Sequence, residues 1–111
     1  MISFEQPPTY GTLTQGYHEE HPAYDFACVT GTPVYAVHSG ELSSDYNGRM
    51  GNIAIVKYNG RTSTYSHLQV VFPPGWYERG EVIGLCGNTG SWSTGPHVHF
   101  ESDKPYTFFG I

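Results

Sequence analysis

The residues best suited to chemistry in this chain are histidines and carboxylates at recurring short spacings. His97, His99 and Glu101 occupy alternate positions in Gly95-Pro-His-Val-His-Phe-Glu101. Successive side chains of an extended strand point to opposite faces, so this polar trio shares one face and Val98 and Phe100 share the other. The apolar pair reads as an anchor in a core. The trio has three readings: an exposed strand edge, two imidazoles on one metal, or one imidazole on a metal with its neighbour over a substrate. Upstream, His21 and Asp25 form a His-x-x-x-Asp pair, and His67 ends the run Tyr65-Ser66-His67. Taken alone, His67 reads as a polar residue closing a strand. Taken together, the set supplies the nitrogen and oxygen donors of an open zinc site, in which three protein ligands leave a fourth position for water. Two histidines and one carboxylate would leave such a site net positive and able to bring the pKa of water to roughly 7. Imidazoles left at its rim would exchange protons near neutral pH. No Gly-x-Ser-x-Gly elbow and no cysteine with a clear histidine partner motif suggests a covalent nucleophile.

These residues need elements to position them, and the chain reads as short strands joined by tight turns. His18-Glu-Glu-His21 does not spell a His-Glu-x-x-His helix, and Pro22 argues against a helix through it. We read a loop entering a strand near Tyr24 to Cys28. A strand spans Val34 to His38 after the turn Thr30-Gly-Thr-Pro33, and Glu41 to Ser44 continues as another. Asp45 to Gly51 reads as a polar, turn-rich loop. Asn59-Gly60 is the strongest short hairpin signal and joins Asn52–Tyr58 to Arg61–His67. A two-residue turn places Tyr58 opposite Arg61, Ala54 opposite Tyr65 and Asn52 opposite His67. Strict alternation then puts Asn52, Tyr65 and His67 on one face. Val70 to Trp76 is a connector too short for a long helix. A strand follows among the glycines of 78–87, and Asn88 to Gly95 is the loop that delivers the chain to His97. No second domain or linker is visible, so residues 1–111 are expected to form one domain, with 1–15 as an irregular lead-in.

Composition agrees. Fourteen glycines, eight prolines and nine tyrosines suit strands and turns. The net charge is −5 with only 5 Lys and Arg, which leaves no electrostatic footprint for nucleic acid and no attraction to anionic membranes. No apolar run reaches the length of a membrane-spanning helix. The segment Met1 to Pro8 has neither the basic nor the apolar region of a signal peptide. The two cysteines, Cys28 and Cys86, lie outside any Cys-x-x-Cys motif. They form either one disulfide or two buried thiols, and we favour the thiols because cysteine is often fully buried without a bond.

Four stretches carry a resemblance to a known family: His21-Pro-Ala-Tyr-Asp25, Gly31-Thr-Pro-Val-Tyr-Ala36, Tyr65-Ser-His-Leu68 and Ser93-Thr-Gly-Pro-His-Val-His-Phe-Glu101. In this order, over about residues 16–101, they resemble the lysostaphin-type (LytM-like) zinc metallopeptidases, which cut peptide bonds in bacterial peptidoglycan. The resemblance implies a mainly β, compact antiparallel fold, a barrel-sandwich hybrid with a loop-walled zinc groove. It implies one zinc held by His21, Asp25 and His99, with His67 and His97 as catalytic histidines that do not bind it. Which of the two is the general base stays open. Asn52 matches a family position near the site, Tyr65 is a candidate for the groove wall, and Glu101 is a candidate partner for a zinc-bound histidine. His18, three residues before His21, falls outside the family pattern, and His38 has no motif role. Ala23 stands where the family usually has Gly, and Met50 where an aromatic is common. Neither is a proposed ligand.

The expected activity is that of a monomeric zinc endopeptidase. It would act on peptidoglycan stem peptides or cross-bridges, in the extracellular space, cell wall or periplasm, or as a phage lysin or virion enzyme. The competing reading is a catalytically silent module that binds wall or regulates other wall hydrolases. It is disfavoured because all five metal and catalytic positions are filled. A carrier domain would need a lysine at a hairpin tip, and neither Lys57 nor Lys104 fits. The chain as given is expected to be active without removal of residues 1–15.

Overall fold

The computed structural model describes residues 6–15 and 23–102. His18 and His21 therefore lie outside the described residues, as does Lys104. Within them the chain forms ten strands and no helix: β1 (Thr12–Gln15), β2 (Tyr24–Ala27), β3 (Pro33–Tyr35), β4 (Gly40–Asn47), β5 (Gly51–Tyr58), β6 (Arg61–Leu68), β7 (Val70–Val71), β8 (Gly75–Tyr77), β9 (Val82–Leu85) and β10 (His97–Ser102). Seven of them make one sheet in the order β1-β2-β10-β6-β5-β4-β8, and three make a second in the order β3-β9-β7. Every ladder is antiparallel. The mainly β architecture expected from turns and alternation is observed, as is the antiparallel pairing that the resemblance implies.

The core draws on both sheets. Phe26, Val56, Val98 and Phe100 of the large sheet meet Val34 and Ile83 of the small one, with Cys86 fully buried among them. Side chains of this size contribute about 1.5–3 kcal/mol each when buried. β10 alternates as its sequence requires. Val98 and Phe100 have no exposed surface, while His97, His99 and Glu101 on the opposite face keep partial access to solvent.

Three sequence expectations are corrected. The stretch Asp45 to Gly51 is not wholly loop. β4 runs on to Asn47 and pairs with β5 down to Asn47↔Gly51, leaving only residues 48–50 as the turn. The polar residues tolerate this because that end of the ladder is exposed. Cys28 and Cys86 are not free thiols but a disulfide. Cys28 follows β2 and Cys86 follows β9, so the bond ties one sheet to the other. The register of the β5–β6 hairpin holds from Tyr58↔Arg61 to Ala54↔Tyr65 and then slips, so that Asn52 pairs with Leu68 rather than His67.

The slip has a local cause. Asn59 and Gly60 both have positive φ, as a two-residue hairpin turn of this twist demands. His67 also has positive φ (65°), the left-handed conformation that a non-glycine residue adopts only at some cost. It is the extra residue of a β-bulge. Without the bulge, His67 would follow Ser63 and Tyr65 into the core. With it, the His67 ring stays buried but lies beside His97 and His99, while Leu68 is fully buried.

Candidate metal and catalytic site

β2 and β10 pair with Asp25 opposite His99 and Ala27 opposite His97, and β10 pairs on its other side with β6. Asp25, His99 and His97 are thereby brought together on the solvent face of neighbouring strands, and the bulge adds His67. The rings of His67 and His97 lie 4.8 Å apart and those of His67 and His99 6.1 Å apart. Asp25 Oδ1 is 3.0 Å from His99 Nδ1 and 4.0 Å from His97 Nε2.

Hydrogen bonds to carbonyls set the tautomers of two of these rings. His67 Nδ1 is 2.7 Å from the Thr89 carbonyl and His97 Nδ1 is 2.7 Å from the Gly95 carbonyl. A carbonyl only accepts, so each Nδ1 carries the proton and each neutral ring keeps its lone pair on Nε2. Burial lowers the pKa of His67. The Thr89 carbonyl pulls the other way, and His97 and His99 push it further down. His99 behaves differently. Burial pulls its pKa down, but the hydrogen bond to Asp25 and the nearby Glu101 carboxylate outweigh this and raise it to about 9. Glu101 Oε1 lies 3.6 Å from His99 Nε2, an ion-pair distance rather than a hydrogen bond.

Among the described residues no three His, Cys, Asp or Glu side chains are grouped to hold a metal ion, and Asp25 and His99 supply two of the three donors expected for zinc. A tetrahedral ion with ligands at about 2.0–2.1 Å holds neighbouring donor atoms roughly 3.3 Å apart. Asp25 Oδ1 and His99 Nδ1, an oxygen and a nitrogen, stand close to that separation. Glu101 lies beside the other nitrogen of His99. The third expected ligand, His21, is outside the described residues.

The remaining expectations divide. Asn52 lies next to the histidines, but its side chain is used structurally. Nδ2 donates to the Leu68 and Gln69 carbonyls at 3.1 and 3.3 Å and so holds the bulge. Tyr65 does not line a groove. It is fully buried, packs on Phe100 and accepts the Val37 N–H at 2.9 Å. The inference that grouped it with His67 assumed unbroken alternation, which the bulge ends. His38, without a motif role, is buried beside it, with Nε2 3.0 Å from Ser63 Oγ.

Sequence reasoning named Met50 only as a departure from the family pattern and did not single out Thr89. The Met50 carbonyl accepts the His67 N–H at 2.8 Å. Thr89 Oγ1 donates to the Leu68 carbonyl at 2.7 Å and accepts the Asn52 N–H at 3.2 Å. Two glycines permit this close approach. A Cβ on Gly51 would strike Thr89, and one on Gly90 would strike the Arg49 carbonyl. The run Gly51-Asn52 and the Gly-Asn-Thr-Gly of 87–90 are the only sequence signals of it.

The family model of peptidase family M23 matches residues 19–107, and the chain belongs to that family. It is 34% identical over 90 residues to the peptidoglycan DD-endopeptidase ShyC of Vibrio cholerae, an alignment covering 78% of this chain and 21% of ShyC. The catalytic domain of the antimicrobial peptidase lysostaphin from Staphylococcus simulans superposes with a TM-score of 0.69 at 32% identity, over 85% of this chain and 75% of that one. A zinc-containing peptidase from Vibrio cholerae superposes with a TM-score of 0.78 at 30% identity, over 91% and 36% of the two chains. The chain spans about a fifth of the length of the curated relatives it matches. No helix among the described residues is long and apolar enough to cross a membrane.

Proposed function

We propose that this chain is a zinc-dependent endopeptidase that hydrolyses peptide bonds of bacterial peptidoglycan. The observation that carries the reading is the convergence of Asp25, His67, His97 and His99 on one face, with two Nε2 lone pairs beside a metal-spaced oxygen–nitrogen pair. His21, Asp25 and His99 would hold the ion, and Glu101 would orient His99. Zinc, when bound, supplies Lewis-acid polarisation of the scissile carbonyl and makes water acidic enough to attack.

The chain's own residues do the rest. The Nε2 atoms of His67 and His97 accept the proton released in the attack and return one to the departing amine. Once protonated, either ring also stabilises negative charge growing on the carbonyl oxygen. Thr89 and Gly95 keep both rings in the tautomer this requires. Peptidoglycan places the action outside the cytoplasm, in the wall or periplasm or at a phage lysin's point of entry, with the chain working as a monomer.

The test is mass spectrometry of wall fragments after incubation with the zinc-loaded protein. Walls with glycine bridges and walls with direct cross-links are both used, with and without chelator. New peptide termini that disappear with chelator are expected, and they name the bond. Intact walls of both kinds with zinc bound would instead make this a silent binding module.

A further inference from the structure

The turn of residues 48–50 and the loop of residues 88–95 do more than hold His67. Backbone hydrogen bonds stitch them together, from Ser91 N–H to the Gly48 carbonyl (2.8 Å) and from Trp92 N–H to the Arg49 carbonyl (3.1 Å). Asn47 Oδ1 accepts the N–H groups of Arg49 and Met50 and fixes the turn. The result sets the Arg49 guanidinium 5.1 Å from the centre of the Trp92 ring. Trp92 is 63% exposed, a large apolar surface that no core packing explains.

Trp92 also stands between two hollows. One, of about 290 Å³, contains Asp25 and His97 and so belongs to the candidate site. The other, of about 560 Å³, is lined by Asn47, Gly48, Arg49, Met50 and Trp92. Arg49 is the one charged residue in that second lining, and among the described residues no carboxylate pairs with it. A guanidinium held over an indole at this distance still has N–H donors to spare, and a guanidinium can grip a carboxylate at two points. Such an isolated cation is conspicuous in a chain with 10 acidic residues and 5 basic ones.

We infer that Arg49 and Trp92 form a carboxylate-binding subsite that selects the peptide segment beside the scissile bond. The aromatic ring supports the peptide, and the guanidinium reads a free carboxylate on it. Because Met50 and Thr89 hold His67 through the same two loops, the subsite is fixed in register with the histidines. The inference rests on the endopeptidase reading for its substrate, but its test does not depend on cleavage.

The full chain, zinc-loaded and carrying Trp76→Phe so that Trp92 is the sole indole, is mixed with a synthetic stem tetrapeptide, L-Ala-γ-D-Glu-L-Lys-D-Ala. Trp92 fluorescence is followed by stopped flow, ahead of any cleavage. The glutamyl α-carboxyl and the C-terminal carboxyl are each supplied free or as the amide, which separates the two sources of the charge. Amidation of one of them is expected to weaken binding about tenfold, the scale of a charge-assisted hydrogen bond. Arg49→Gln is expected to erase that difference without changing affinity for the fully amidated peptide, and Arg49→Lys to keep part of it. Equal affinity for all four peptides, no saturable binding, or an equal loss for all four in Arg49→Gln would overturn the subsite. Retained discrimination with intact walls would remove the endopeptidase reading and leave the subsite standing. Wall cleavage without discrimination would do the reverse.

Discussion

His97 and His99 are two residues apart, share a face, and are held by different partners. His99 has a carboxylate near each ring nitrogen, whereas His97 is tied by Nδ1 to a carbonyl and offers Nε2 to the site. The substitution His99→Ala is expected to abolish both zinc binding and hydrolysis. His97→Ala is expected to keep zinc, measured by metal analysis after gel filtration, while lowering kcat by about 100-fold or more, the usual scale of a general acid or base. Loss of zinc from His97→Ala would exchange the two roles. The same assay decides between His18 and His21, since His21→Ala is expected to lose the metal and His18→Ala to keep it.

At the scale of elements, the site depends on a defect in β6. A regular strand would carry His67 into the core beside Tyr65, and the bulge re-aims it at the cost of a left-handed backbone. That cost is met by the contacts of Met50, Asn52 and Thr89 with the bulge and its neighbours. Thr89→Val removes one donated and one accepted hydrogen bond at nearly constant volume. It is expected to destabilise the fold by about 1–3 kcal/mol, read from urea denaturation, and to leave zinc binding unchanged. A loss well under this range would mean that the loop's backbone bonds alone hold the bulge. β10 is secured differently, by Val98 and Phe100 between the sheets. Phe100→Ala is expected to cost about 3–5 kcal/mol, which would unsettle both histidines of the strand.

At the scale of the molecule, two sheets are held by a shared core and by one covalent bond. The Cys28–Cys86 disulfide closes a separation of 58 residues and joins the ends of β2 and β9. Constraining an unfolded loop of that length is worth about 4 kcal/mol in the chain-entropy account, and measured values are often smaller. The double substitution Cys28→Ala and Cys86→Ala is expected to lower stability by about 2–4 kcal/mol, measured by denaturant unfolding under oxidising conditions. The wild-type chain is expected to show the same loss on addition of reductant. No difference between oxidised and reduced protein would show that the bond adds nothing to the core. A structural disulfide suits an oxidising compartment, which agrees with the proposed peptidoglycan substrate.

The sequence alone determined the class of fold and the shared face of His97 and His99, because these are local properties, while the resemblance supplied the expected ligands and catalytic histidines. Alternation puts His97 and His99 opposite Val98 and Phe100 whatever the strand pairs with. Asn59-Gly60 fixes a hairpin turn through its own backbone preferences. The motif order from His21 to Glu101 carries the family, which the match over 19–107 establishes. Tertiary structure decided what depends on residues distant in the chain. The two cysteines are a bond because the sheets bring their Cα atoms to 6.4 Å, a distance no spacing encodes. Tyr65 went to the core and His67 to the site because a bulge broke the period of two between them. Of its supports, Met50 acts through a carbonyl that every residue type possesses, and Thr89 through both its carbonyl and its hydroxyl. Arg49 and Trp92, 43 positions apart in the sequence, became neighbours only when two glycines let their loops touch.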